Sequence, residues 1–108
     1  MEIEQAQQIF EAISNSAHKQ LVQSLLKSAV RYSQIRVEWY FSDREQRNAM
    51  ENERTIAHNA FISAYNILIR DMKTKGEDTH WQSQIGTDRK SIGDFACLLN
   101  AVIGIKAR

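Results

Sequence analysis

The first 75 residues contain neither glycine nor proline, and this absence constrains the fold more than any other feature of the chain. Proline is missing throughout, and the four glycines are Gly76, Gly86, Gly93 and Gly104. Glycine and proline are the residues that most often end helices and form turns. No Asn-Gly or Asp-Gly hairpin turn and no sustained apolar–polar alternation occurs. We therefore predict long helices and an all-α fold.

Apolar residues that recur at spacings of three and four predict a bundle of four main helices, with a short fifth before the last of them. The third helix is apolar over most of its circumference, which is typical of a central helix. Ser42 and Glu45 form a capping-box pattern at its start, and Thr87 or Asp88 is positioned to cap the last helix. The predicted helices cover about residues 2–13, 16–41, 43–74 and 88–104, with the short segment at 79–85.

The chain has 108 residues, the size of one domain, so we expect a single helical domain over residues 1–108. The second and third helices should reach about 38 and 48 Å, longer than so small a domain can cover alone. The segment 91–105 is too short to span a bilayer and too apolar for a surface helix. We therefore expect it to be buried on nearly every side, by the rest of the chain or by a second subunit. These features predict a homodimer that does not associate with membranes.

Charge and cysteine content exclude several classes of protein. The formal net charge is +1, which gives no reason to expect a nucleic-acid partner. A single cysteine excludes an intrachain disulfide framework and a cysteine-only zinc site. The three histidines share no close spacing, so no metal and no cofactor is predicted. The start of the chain lacks the pattern of a signal peptide, which predicts a cytoplasmic protein.

Charged side chains occupy positions of the third helix where the pattern predicts apolar ones. Arg47, Arg54 and His58 follow one stripe, and Glu51 lies within one turn of both arginines. We expect Glu51 to bridge the two arginines. These four residues are candidates for a polar network or a binding site.

Asp94 is the only acidic residue of the last helix, and a buried carboxylate requires a partner. We expect it to pair across the core with Arg36, Arg54 or His58. One interpretation is a buried polar network that fixes the register of the helices. The other is a small-ligand pocket gathered around these four residues, since bundle cores are a usual place for such sites.

Arg54 and His58, one helical turn apart, can clamp a phosphate and transfer a proton. The pair resembles the Arg…His motif of the HEPN superfamily of small helical nucleases. This resemblance implies an RNA nuclease, or an inactive relative, with Arg54 as phosphate clamp and His58 as general acid and base. The spacing of three residues between them is shorter than is usual in that family. A structural or interface role is the alternative.

Four further residues are candidates for an interface. Trp81 lies in a polar connection, where it either closes the open end of the bundle or is exposed for a partner. Gly93, Cys97 and Asn100 form a face of small residues on the last helix. Such a face allows a neighbouring helix to approach closely, within the chain or across a dimer axis. Asn100 then needs a hydrogen-bond partner, and Cys97 is expected to be a small packing residue.

The run Trp39-Tyr40-Phe41, followed by Arg44 and Arg47, has two interpretations. Aromatic rings with basic neighbours can form a stacking platform for single-stranded nucleic acid. Three consecutive residues of a helix point in different directions, however, and packing in the core at the helix end is the simpler expectation.

Two stretches of the second half resemble a family of small bacterial proteins of unknown function, which we associate with Firmicutes and related mobile elements. They are ERTIAHNAFISAYNILIRDM and GEDTHWQSQIGTDRKSIGDFACLLNAVIGIKAR. The resemblance implies a cytoplasmic helical protein and carries no activity and no functional residues.

The sequence as a whole favours a non-enzymatic helical interaction or regulatory module that self-associates as a homodimer. Whether it also binds another protein is left open. The nuclease and the small-ligand pocket remain the alternatives.

Overall fold

The computed structural model describes residues 1–107, and within them the chain is entirely helical apart from turns and connections. It confirms the predicted all-α bundle with a long third helix. The five helices are α1 (Ile3–Ser14), α2 (Lys19–Tyr40), α3 (Arg44–Thr74), α4 (Gln82–Ile85) and α5 (Arg89–Lys106).

The start of α3 is fixed by a capping box one residue later than predicted. The Asp43 side chain accepts from the backbone N–H of Gln46 at 2.8 Å, and the Gln46 side chain accepts from the N–H of Asp43 at 3.0 Å. The predicted box of Ser42 and Glu45 is wrong, because the Ser42 hydroxyl instead donates to the carbonyl oxygen of Glu38 at 2.6 Å. Ser42 therefore closes the end of α2.

The connection between α3 and α5 is shaped by two glycines with positive φ. Gly76, at φ +74°, follows the end of α3, and Gly86, at φ +94°, separates α4 from α5. Asp88 then caps α5 by accepting from the backbone N–H of Ser91 at 3.0 Å. The polar segment thus carries the chain back along the bundle, so that α5 begins beside the middle of α3, where Arg89 contacts Asn59 and His58.

Helices α2 and α3 form an antiparallel hairpin, against which α5 packs together with α1. The chain directions of α2 and α5 are opposed, since Arg36 meets Asp94 near one end and Ser33 meets Asn100 nearer the other. The centre of the core is aromatic. Phe95 of α5 packs with its ring centroid 6.4 Å from that of Phe61 and 6.1 Å from that of Tyr65.

The hairpin is longer than the helices that cover it. The molecule is 47 Å long, which matches about 46 Å for the 31 residues of α3. No residue between 37 and 56 is buried, whereas the core begins at Ala57 on α3 and ends at Ile35 on α2. We call residues 37–56 the distal end of the hairpin.

Helix α5 is less enclosed than predicted. Its inner face is buried, but Ala101, Gly104 and Ile105 are exposed. The expectation of burial on nearly every side is therefore wrong for a single chain, because α1, α2 and α3 contact only part of the helix.

Candidate functional site

Of the three partners predicted for Asp94, the structure shows Arg36. Arg36 Nη2 donates to Asp94 Oδ1 at 2.7 Å, and Nη1 lies 3.7 Å from the Sγ atom of Cys97. The side chains of Arg36 and Asp94 are 33% and 48% exposed. The expectation that Asp94 is buried is therefore wrong, since the pair lies at the edge of the α2–α5 contact.

His58 occupies a different place, beneath the start of α5. Its ring stacks on Tyr32 with centroids 4.7 Å apart, and its Nε2 atom lies 3.0 Å from the carbonyl oxygen of Arg89. Because a carbonyl only accepts, Nε2 carries the hydrogen in this contact. Burial lowers the pKa of His58, and the positive charge of Arg89 lowers it further. The neutral imidazole is thus favoured.

Arg47 and Arg54 hold the indole of Trp39 at the distal end. The guanidinium carbons lie 4.2 Å and 4.6 Å from the ring centroid. Arg47 also donates to the carbonyl oxygens of Trp39 at 2.9 Å and Tyr40 at 3.0 Å. Arg54 Nη1 lies 3.8 Å from Glu51 Oε1, whereas within the described residues Arg47 forms no ion pair with Glu51. Of the two expected bridges only the one to Arg54 is therefore present within residues 1–107.

The predicted polar set therefore separates into three groups rather than forming one pocket. Arg36 pairs with Asp94, whereas Arg54 contacts Trp39 and His58 contacts Tyr32. The two members of the nuclease-like pair lie on one side of α3 but about 6 Å apart along its axis. Arg54 reaches Trp39 at the distal end, whereas His58 lies beside Tyr32 and the start of α5. Arg36, Arg54, His58 and Asp94 therefore do not line one common pocket.

Trp81 is buried within its own chain. Its side chain is part of the core at 7% exposure, and its Nε1 atom donates to the carbonyl oxygen of Asp78 at 3.2 Å. Its assignment to an intersubunit interface is therefore wrong. The indole instead closes the end of the bundle, which was the other interpretation.

The small face of α5 is used mostly against α2 of the same chain. A Cβ atom on Gly93 would lie 3.0 Å from His58 Nε2 and 3.2 Å from the Tyr32 hydroxyl. Asn100 Nδ2 donates to the Ser33 hydroxyl at 3.2 Å. Gly93 and Asn100 are thus packing residues within the chain, which is one of the two arrangements that the face of small residues allowed. Cys97 is only half-buried.

The end of α2 exposes a cluster of apolar side chains that sequence reasoning assigned to the core. Tyr40 and Phe41 are 70% and 83% exposed, and Val37 is half-exposed beside them. The two aromatic rings pack edge to face with centroids 5.9 Å apart. We call Val37, Tyr40 and Phe41 the aromatic patch. The one sequence signal for this exposure was the predicted length of the second and third helices, which exceeds what so small a domain can cover.

A groove of about 330 Å³ runs from the aromatic patch to the outer face of α5, and we call it the α2–α5 groove. Its remaining lining residues are Arg36, Asp94 and Cys97. A second cavity, of about 580 Å³, also lined by Asp94, lies where Met1, α4 and α5 meet. Asp94 and Cys97 therefore form the ridge between the two spaces.

No group of three or more histidine, cysteine, aspartate or glutamate side chains within residues 1–107 is arranged to hold a metal ion. None of the helices in this part of the chain is both long and apolar enough to cross a membrane.

Comparison of the chain with protein-family models, with curated proteins and with solved structures gives no match. Its function is therefore inferred from the contacts and exposed surfaces described above.

Proposed function

We propose that this chain is a helical interaction module that self-associates through the distal end of its α2–α3 hairpin. The observation that carries the proposal is the aromatic patch, in which Tyr40 and Phe41 are adjacent and mostly exposed. Contiguous exposed apolar groups mark interaction surfaces. Aromatic side chains are moreover enriched in the cores of protein interfaces.

The length of the hairpin supports a second copy as the partner. Residues 37–56 form two paired helices with no third helix over them. An antiparallel helix pair with an uncovered face can be completed by another such pair, as in four-helix bundles. A two-fold dimer uses the same surface on both subunits, so one exposed patch on each chain is sufficient.

As part of this proposal we assign the module to the bacterial cytoplasm. The free thiol of Cys97 supports a reducing compartment. The resemblance to small helical bacterial proteins, described from residues 53–72 and 76–108, also supports it.

Sedimentation equilibrium tests the proposal. We expect the wild-type mass to approach twice the 12.5 kDa of the chain as concentration rises. The double variant Tyr40→Ser/Phe41→Ser should remain monomeric, with a helical circular dichroism spectrum equal to that of the wild type. Ile105→Ser is the matched control, because Ile105 is also an exposed apolar side chain but lies near the end of α5, outside residues 37–56. A wild-type mass of one chain at every concentration contradicts the proposal.

A small-ligand site is a second candidate, favoured by the cavity of about 580 Å³ beside Asp94. Its lining combines apolar Phe95 and Leu98 with the polar side chains of Gln84 and Ser91. Arg36 contacts one oxygen of the Asp94 carboxylate, which leaves the other to accept from a ligand. This arrangement fits an apolar molecule that carries an amine. The nuclease hypothesis has no comparable support, since Arg54 and His58 contact different partners.

Thermal unfolding in a panel of small apolar amines tests this second candidate. A rise in melting temperature that Asp94→Asn abolishes and Asp88→Asn preserves supports it. No rise with any amine removes it.

A further inference from the structure

We infer that the aromatic patch of one copy inserts into the α2–α5 groove of a second copy, which returns its own patch to the first. The inference rests on the self-association proposed above and assigns the contact surface and its geometry. The groove and the patch are neighbours on one face of the molecule, where Val37, Tyr40 and Phe41 form one wall of the groove.

The shapes of these two features are suited to a two-fold contact. Such a contact requires a projection and its receptor on the same surface of each subunit. The projection is the pair of exposed rings of Tyr40 and Phe41. The receptor is a groove of about 330 Å³, at the lower end of the range for small-molecule pockets and therefore suited to an aromatic side chain.

The charges of the groove favour a second copy over other proteins. Its lining contains one cation and one anion, Arg36 and Asp94, whose side chains are partly exposed. A strongly acidic or strongly basic partner would place like charges against one of them. A two-fold related copy brings an arginine and an aspartate of its own, so each charge can face its opposite.

The other large apolar groove lacks this self-complementarity. It measures about 570 Å³ and lies between the ends of α1, α2 and α5, lined by Phe10, Leu26 and Ile103. Lys27 and Lys106 flank it. Within residues 1–107 only Lys106 of these two has an acidic partner, Glu11 at 3.1 Å, so two copies meeting there would bring the Lys27 side chains together. Outside the aromatic patch, the only large apolar side chain exposed on the described hairpin is that of Ile56 on α3. A single side chain does not form a second patch.

Cys97 supplies a readout of the groove, because it is the only cysteine and its Sγ atom lies 3.7 Å from Nη1 of Arg36, which lines this groove and not the second cavity. The experiment measures the rate at which dithionitrobenzoate modifies Cys97 over a range of protein concentrations, with the mass measured in parallel by sedimentation. If only the monomer reacts, the rate per thiol falls by about tenfold when 90% of the chains are dimeric, in proportion to the reactive fraction.

The variants separate the outcomes. Tyr40→Ser/Phe41→Ser should stay monomeric and react at one rate at all concentrations. Ile105→Ser, outside residues 37–56, should dimerise and protect Cys97 as the wild type does. A wild-type dimer whose Cys97 reacts at the monomer rate overturns the groove inference and leaves self-association standing. A wild type that never dimerises overturns both.

Discussion

The two halves of the α2–α3 hairpin are built from the same helices but stabilised in different ways. In the covered half, Phe61 and Tyr65 of α3 are buried against Phe95 of α5. In the distal end, Trp39 of α2 is only half-buried, with the guanidinium groups of Arg47 and Arg54 at its ring. The covered half is thus stabilised by apolar burial and the distal end by cation–π contacts and hydrogen bonds to helix-end carbonyls.

This difference depends on where α5 and α1 cover the hairpin rather than on the apolar content of the hairpin. Tyr40 and Phe41 are as apolar as many core residues, yet they are exposed because α5 crosses the hairpin before reaching them. A chain that leaves such residues without cover gains from a second molecule. The covered half therefore contains most of the apolar burial, and the distal end contains the exposed surface to which we assign the proposed association.

The largest expected effect is the loss of a core ring in the covered half. Phe61→Ala removes a fully buried side chain and should lower the free energy of unfolding by about 3–5 kcal/mol. Met50→Ala in the distal end, where Met50 is only half-buried, should cost about 1 kcal/mol. Urea unfolding of the two variants at a monomeric concentration measures the difference. Equal losses would remove the distinction between the two halves.

Among substitutions in the distal end, we expect Arg47→Ala to lower the free energy of unfolding the most. Arg47→Ala removes two hydrogen bonds to the carbonyl oxygens that end α2, together with the contact on Trp39, and should cost about 1–2 kcal/mol. Arg44→Ala, an exposed cation in the first turn of α3, should change stability by less than about 0.5 kcal/mol. The same urea titrations compare them, and a neutral Arg47→Ala would contradict the role of this contact.

A third prediction concerns a buried hydroxyl in the covered half. Within residues 1–107 the hydroxyl of Tyr65 is buried without a hydrogen-bond partner, and burial raises the pKa of Tyr65 to about 12. Tyr65→Phe removes this desolvated group and should leave stability unchanged or raise it by up to about 1 kcal/mol. A fall in the urea midpoint would show that the hydroxyl has a stabilising partner.

The Arg36–Asp94 pair lies at the border between the halves and should contribute little to folding. Because both side chains are partly exposed, Asp94→Ala should cost less than about 1 kcal/mol in the monomer. A loss of about 3 kcal/mol or more would instead be typical of a buried ion pair. Thermal and urea unfolding at low protein concentration distinguish the two values.

The smallest expected effect is a pH dependence of the covered half. Burial lowers the pKa of His58 in the folded state, so the unfolded chain binds the proton first as pH falls. Stability should therefore decrease as pH falls through the ordinary histidine pKa of about 6.5 toward the lower folded value. His58→Gln should show a smaller loss between pH 7.5 and pH 5, measured by urea midpoints. Equal losses in the two proteins would contradict the assignment to His58.

The helices were predictable because the first 75 residues offer no glycine or proline to interrupt them. Their ends were predicted to within a few residues, and the capping box at α3 was misplaced because Ser42 and Asp43 are both residue types that cap helices. Asp88 as the cap of α5 is confirmed by its contact with Ser91.

The surroundings of the site residues were not predictable from periodicity. Asp94 had three candidate partners, and the choice of Arg36 depends on the register of α5 against α2, which is a tertiary property. For Trp81 the sequence left burial and exposure both open because the neighbouring residues are polar, and the structure shows burial. The exposure of Tyr40 and Phe41 was missed because a helical pattern identifies an apolar face but not whether another helix covers it.

Hydrogen exchange at two protein concentrations tests most directly that the distal end is covered by a second copy. Amide protection within residues 37–56 should increase with concentration, while protection within residues 57–72 stays constant, because association stabilises only the surface that it covers. Protection of residues 37–56 that is independent of concentration, up to the highest concentration at which the protein remains dissolved, would contradict the account.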